Sequence, residues 1–100
     1  MIARTWHGVV PKKLGDTYYD YIKKTGLSDF RKTKGNLGNL VFRRNEKKEV
    51  HFLIISLWDS YESIKEFAGG NYTKARYYEK DKEFLMDFED VYHYKVMVIE

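Results

Sequence analysis

The spacing of apolar positions along this chain alternates between a period of two and a period of three to four. Ile2 to Val10 is rich in β-branched and aromatic side chains and stops at Pro11, the only proline, which predicts a first strand. Leu14, Tyr18, Tyr21 and Ile22 then recur at i, i+4, i+7 and i+8, one stripe of a helix that Thr25-Gly26 closes. Leu27 to Gly35 predicts a short turn or helical piece around Phe30. Strands two and three are expected over Leu37 to Arg44 and Glu49 to Trp58, and the polar link Asn45 to Lys48 is short enough for an antiparallel hairpin. Asp59 followed by Glu62 predicts a reciprocal N-cap for a second helix, with Tyr61, Ile64, Phe67 and Ala68 as its apolar stripe and Gly69-Gly70 as its end. Short helical turns are expected over Asn71 to Tyr78 and Asp81 to Phe88, with Tyr72, Ala75, Phe84 and Leu85 inward, and a fourth strand over Val91 to Ile99.

The order β-α-β-β-α-β predicts an α+β, ferredoxin-like domain over residues 1–100, with an antiparallel sheet ordered 4-1-3-2 and both helices on one face. Strand three is largely apolar on both sides: Val50, Phe52, Ile54, Ser56 and Trp58 alternate with His51, Leu53, Ile55 and Leu57. Such a strand wants cover on both faces. Helices supply one, and a second copy of the chain is the simplest source of the other, which predicts a homodimer with a two-fold interface.

Composition adds two constraints. Aromatic residues make up 17% of the chain, more than a small monomer's core easily encloses, so some should face a ligand or a partner subunit. Cysteine is absent, which excludes disulfides, thiolate chemistry and Cys-ligated zinc. The net charge of +3 comes from basic residues scattered among acids, a pattern of solvated faces and not of a nucleic-acid track. Without a signal-peptide core or an apolar run near the roughly 20 residues of a membrane span, a cytoplasmic protein with no membrane partner is expected.

Candidate chemistry gathers on few residues. Trp58 ends strand three at the entry to the second helix, where its indole either stacks on a planar substrate or fills the core corner. Arg4, near Trp58 across the predicted sheet, either holds an anionic or phenolate ligand beside the indole or makes a salt bridge at a dimer rim. His7, late in strand one, and His51 and His93, early in strands three and four, could gather at one sheet end, but with no carboxylate evidently placed to orient them no metal site is expected. His93 alone is a candidate base for a phenolic proton. Tyr72, Tyr77 and Tyr78, around Arg76, suit a lid over a planar ligand or a staple for a loop. Lys32 and Lys34 lack a Gly-rich phosphate cradle and are taken as solvated.

The run Trp58-x-Ser60-x-x-x-Ile64-x-x-Phe67-Ala68-Gly69 after an apolar third strand resembles the antibiotic biosynthesis monooxygenase family of the dimeric α/β-barrel superfamily. Ala75-x-Tyr77-Tyr78, Asp81-x-Glu83-Phe84-Leu85, Val91-x-His93-Tyr94 and Arg4-x-Trp6-x-Gly8 extend the resemblance over nearly the whole chain. It implies a homodimer with a pocket between helices and sheet in each subunit, and oxidation of a small aromatic or phenolic substrate by dioxygen without a metal or flavin cofactor; relatives cleave haem. On that reading His93, Trp58 and Arg4 are the catalytic candidates, and Trp6, Phe67, Tyr72, Tyr77 and Tyr78 the substrate-binding ones. The chain departs from the pattern of the quinone-forming members, which pair the strand-three tryptophan with an asparagine where this chain has Ile54 and use a tyrosine where it has Ile64. It also lacks the histidine that haem-degrading relatives carry on the segment matching Phe67 to Tyr78.

Other classes remain in view. A dimeric barrel that binds a small aromatic or haem without turnover, or serves in stress response, would fill its pocket with its own Phe and Tyr side chains. An RNA-recognition domain shares the element order, but EVHFLIISLW carries none of the required strand-three signature. An acylphosphatase-like hydrolase would need a Gly-rich loop after strand one, where this chain has Val9-Val10-Pro11-Lys12-Lys13-Leu14.

Overall fold

The computed structural model describes residues 1–100. Its elements run β1 (Ile2–Pro11), a 3-10 turn (Lys12–Leu14), α1 (Gly15–Lys24), α2 (Gly26–Lys32), β2 (Asn36–Asn45), β3 (Glu49–Trp58), α3 (Tyr61–Ala68), α4 (Asp81–Phe84) and β4 (Tyr92–Lys95). The strands form one antiparallel sheet in the order β2-β3-β1-β4, the topology expected from the connections. β1 and β3 pair along their full length, from Ile2 opposite Trp58 to Pro11 opposite Glu49.

That register sends alternate residues to opposite faces. Arg4, Val10, Val50, Phe52, Ile54, Ser56 and Trp58 are buried under the helices, where Tyr18 and Ile22 of α1, Phe30 of α2, Ile64 and Phe67 of α3 and Leu85 complete the core. The opposite face carries His7, Leu53, Ile55 and Leu57 flanked by Leu40 and Phe42 of β2 and Tyr92 and Tyr94 of β4. No helix covers it, and Phe42 (49%), Leu53 (38%), Tyr92 (65%) and Tyr94 (56%) are exposed.

Four local expectations are corrected. The residue capping α3 is Ser60, whose Oγ accepts from the Ser63 amide, while Asp59 instead accepts hydrogen bonds from both serine hydroxyls. Tyr61 lies outside the apolar stripe and is exposed, because α3 buries only the side on which Ile64 and Phe67 stand. Asn71 to Tyr78 is irregular backbone and not helical: the carbonyls of Tyr72 and Lys74 accept from the Arg4 guanidinium rather than from a following helical turn. β4 is only Tyr92–Lys95, because Lys95 already lies opposite Ile2 and the chain then runs past the first residues of β1, leaving Met97, Val98 and Ile99 exposed. Leu27 to Gly35, by contrast, holds a full helix, with Phe30 buried against Trp58.

The cap assignment has a direct test by urea unfolding. Ser60→Ala should cost about 1 kcal/mol, and Glu62→Gln should leave stability unchanged. Ile64→Ala, at a fully buried position, should cost roughly 2–5 kcal/mol.

Candidate functional site

Because β1 is a central strand, Arg4 stands on the helix side of the sheet with only 3% of its surface exposed. A buried guanidinium must find hydrogen-bond partners. Its Nη1 donates to the Tyr72 carbonyl (2.5 Å) and lies 3.0 Å from His93 Nε2, and its Nη2 donates to the Lys74 carbonyl (3.2 Å). None of these partners is a carboxylate, so the positive charge is not neutralised by an ion pair. Burial pushes the guanidinium down to about 10, which leaves it charged at neutral pH. Its carbon sits 5.9 Å from the centre of the Phe67 ring. Arg4 makes no salt bridge within the chain, and the aromatic ring facing its guanidinium is Phe67 rather than Trp58.

Arg4 forms one wall of a cavity between sheet and helices, together with Trp6, Phe30, Phe67, Tyr77 and Tyr78. Its volume is about 60 Å³. That is room for a few waters, whereas a dry cavity of about 150 Å³ is known to hold benzene. Trp6 lies flat over Gly8, so closely that a β-carbon there would overlap the far edge of the indole. Its Nε1 donates to the Tyr77 hydroxyl (3.4 Å), which itself donates to the Glu89 carbonyl (2.5 Å). Tyr78 donates its hydroxyl to Asp29 Oδ2 (2.5 Å), and the Arg76 guanidinium pairs with the same oxygen (3.2 Å). Thus the irregular segment after α3 is stitched onto α2 and forms the outer wall.

The structure brings Arg4, Trp6, Phe67, Tyr77 and Tyr78 to the cavity and places Trp58, Tyr72 and His93 off its wall. Trp58 is fully buried, its Nε1 donating to Ser56 Oγ (2.8 Å) and its ring packed on Phe30 and Phe67. His93 lies behind Arg4, between the rings of Tyr61 and Tyr72. Burial, and then the neighbouring Arg4 charge, hold its imidazole below the ordinary histidine value. The three histidines do not gather. His93, opposite Arg4, is on the helix face, whereas His7 and His51 meet on the other, with His7 Nε2 at 2.8 Å from His51 Nδ1.

One cavity residue was missed in the sequence. Asp81, the first residue of α4, is 5% exposed; its Oδ1 accepts from the Tyr18 hydroxyl (2.9 Å) and its Oδ2 from the Tyr78 amide (2.6 Å). Desolvation, and then the carboxylate, push the Tyr18 phenol well above its usual range. The cue available in the sequence was the position of Asp81 at a helix start, three residues after Tyr78.

No family model matches the chain, and no curated protein does. Solved structures do. A candidate antibiotic biosynthesis monooxygenase from Bacillus cereus is similar over 99% of this chain and 95% of its own, with a TM-score of 0.70 and 12% identity. A substituted form of MhuD with two manganese protoporphyrin IX molecules bound per active site matches over 100% of this chain and 98% of its own, with a TM-score of 0.68 and 15% identity. The haem degrader MhuD from Mycobacterium tuberculosis, with two haems in its active site, matches over 100% and 99%, with a TM-score of 0.67 and 15% identity. This chain therefore has the fold of those proteins.

The cavity walls do not suit haem. No histidine lines it. Burial raises both wall phenols, Tyr77 and Tyr78, and the hydrogen bond to Asp29 raises Tyr78 further, so neither readily becomes the phenolate an iron would need.

The His93 environment predicts a sign. Because its folded value lies below the unfolded value near 6.5, the unfolded chain takes up the proton first, and His93 subtracts stability as pH falls through 6.5 toward the folded value. Ring-proton NMR should show His93 titrating below the ordinary histidine value, moving up part of the way in Arg4→Met.

Proposed function

We propose that this chain is a homodimeric monooxygenase of the antibiotic biosynthesis type, which oxidises a small aromatic compound bound as its phenolate or enolate, using dioxygen and no cofactor. The observation that carries the reading is Arg4, a buried cation without a carboxylate partner on the wall of an aromatic-lined cavity. A phenolate placed against it gains a charge-assisted hydrogen bond in a poorly solvated site, which favours the ionised and most readily oxidised form of the substrate. Trp6, Phe67 and Tyr77 offer apolar faces for the ring.

Asp81 is the candidate base. Each of its oxygens accepts one hydrogen bond and keeps a lone pair, and the carboxylate is fixed in place by Tyr18 and the Tyr78 amide. It takes the substrate's proton, and the resulting anion transfers electrons to dioxygen. For a doubly benzylic carbon the balance is R2CH2 + O2 → R2CO + H2O, with one oxygen atom entering the product and the other leaving as water. His93 acts behind Arg4 as a positioning residue, and Trp58 supports Phe67 and Ser56 from the core.

The homodimer belongs to the same reading. The open sheet face, with Leu40, Phe42, Leu53, Tyr92 and Tyr94 exposed, is the apolar surface a second copy would bury. One observation favours a second reading, a dimer that binds an aromatic ligand without turnover: the cavity is only about 60 Å³ and is walled by Phe and Tyr rings. A ligand the size of benzene or larger needs a wider cavity than this.

Polyphenolic or anthrone-like compounds should quench tryptophan fluorescence through Trp6 and be consumed with oxygen uptake in metal-free buffer. Arg4→Met should weaken binding by the worth of a charged hydrogen bond, about 1.5–3 kcal/mol or roughly 10- to 150-fold, with Arg4→Lys less affected. Binding without oxygen uptake supports the second reading, and failure of every such compound to bind overturns the site. In sedimentation equilibrium the wild type should be a dimer at micromolar concentration and Phe42→Asp a monomer; a wild-type monomer would refute the interface.

A further inference from the structure

At the hairpin end of the open sheet face, on the opposite side of the sheet from Arg4, five titratable side chains are connected. Glu46 lies in the β2–β3 turn, Glu49 and His51 open β3, His7 stands on β1 and Glu89 precedes β4. His7 Nδ1 is 2.7 Å from Glu89 Oε2, and His7 Nε2 is 2.8 Å from His51 Nδ1. His51 Nε2 then faces Glu46 Oε1 at 3.4 Å and Glu49 Oε2 at 3.2 Å.

The proton arrangement of the chain is constrained. A carboxylate only accepts, so His7 donates from Nδ1 to Glu89, and a neutral His7 then accepts at Nε2 from His51 Nδ1. With both rings neutral, His51 Nε2 is left as a lone pair pointed at two carboxylate oxygens. Three electron-rich atoms converge within 4.8 Å of one another, and the cation paired with them, Arg44, lies on the other oxygen of Glu46. The convergence calls for a cation.

Distances show which cation fits. Hydrogen bonds between an imidazolium and a carboxylate run about 2.7–2.9 Å, shorter than either separation at His51 Nε2. Ligands about 2.0–2.1 Å from a tetrahedral zinc stand roughly 3.3–3.4 Å apart, which matches 3.4 Å and is close to 3.2 Å. The geometry points to a divalent transition-metal site in which His51 Nε2, Glu46 Oε1 and Glu49 Oε2 are ligands and water completes the shell. His7 and Glu89 supply the carboxylate–histidine support that fixes the ligating ring, although here it passes through a second histidine. Arg44 pairs with the other oxygen of Glu46, which orients that carboxylate and leaves Oε1 for the metal. The side chains are between 18% and 40% exposed, open enough for an ion to enter from solvent.

Titration of the full chain with Zn2+ by calorimetry, and with Co2+ by visible absorption, tests this directly. One ion per chain should bind, with the intense d–d bands of four-coordinate cobalt. His51→Gln should lower the affinity at least 100-fold, Glu49→Gln and Glu46→Gln at least tenfold, and His7→Gln about 10- to 100-fold, while Glu62→Gln on α3 should match the wild type. Circular dichroism confirms that each variant is folded, and Glu46→Gln, in an exposed turn, keeps the test open if a strand variant is not. Absence of metal binding by the wild type, or binding unchanged in both His51→Gln and Glu46→Gln, overturns the site.

Discussion

A single buried cation organises the helix side of this protein. Arg4 stands on a central strand, where no acidic residue reaches it, and it is satisfied by two backbone carbonyls and an imidazole. Those carbonyls belong to the segment between α3 and α4, so the guanidinium holds this segment over the sheet as irregular backbone. The aromatic wall follows from that, since Tyr77 and Tyr78 are carried on the same stretch and are held by Glu89, Asp29 and Asp81. The charge that anchors the wall is also the charge a bound anion would meet.

The same architecture leaves two different surfaces to the two faces of the sheet. Under the helices the side chains are packed and their polar groups are internally satisfied; no buried side-chain nitrogen or oxygen lacks a partner. The other face is apolar at its centre and charged at its hairpin end, where His7, His51 and three glutamates are linked. The division follows from the alternation along β1 and β3, because one residue of offset would exchange the two sets completely.

How much of this could be read in the sequence depended on the range of the forces involved. Strands and helices with strong local periodicity, such as Glu49–Trp58 and the Ile64–Phe67 stripe, were legible because pattern alone specifies them, and the sheet order followed from connection rules. The segment Asn71 to Tyr78 was not, because its conformation is decided by a side chain 68 residues away in sequence. The same holds for the site. Arg4, Trp6, Phe67, Tyr77 and Tyr78 stood out by type and spacing, but whether Trp58 and His93 reach the cavity turned on register and ring direction, which only the folded chain supplies. Asp81 was hidden because a helix-start aspartate reads as a cap until its partners Tyr18 and Tyr78 are seen. The split of the histidines was likewise a matter of parity on strands whose pairing was unknown.

Gly8 gives the cavity an unexpected governor. The Trp6 indole rests where a side chain at position 8 would otherwise be, on the floor strand and not in the outer wall. Any larger residue there would displace the ring, whose Nε1 bonds the Tyr77 hydroxyl, and so reshape the chamber. The bore of the chamber is thus set by a missing methyl group, and exchanging the Trp6–Gly8 pair would change it while every charged residue stays in place.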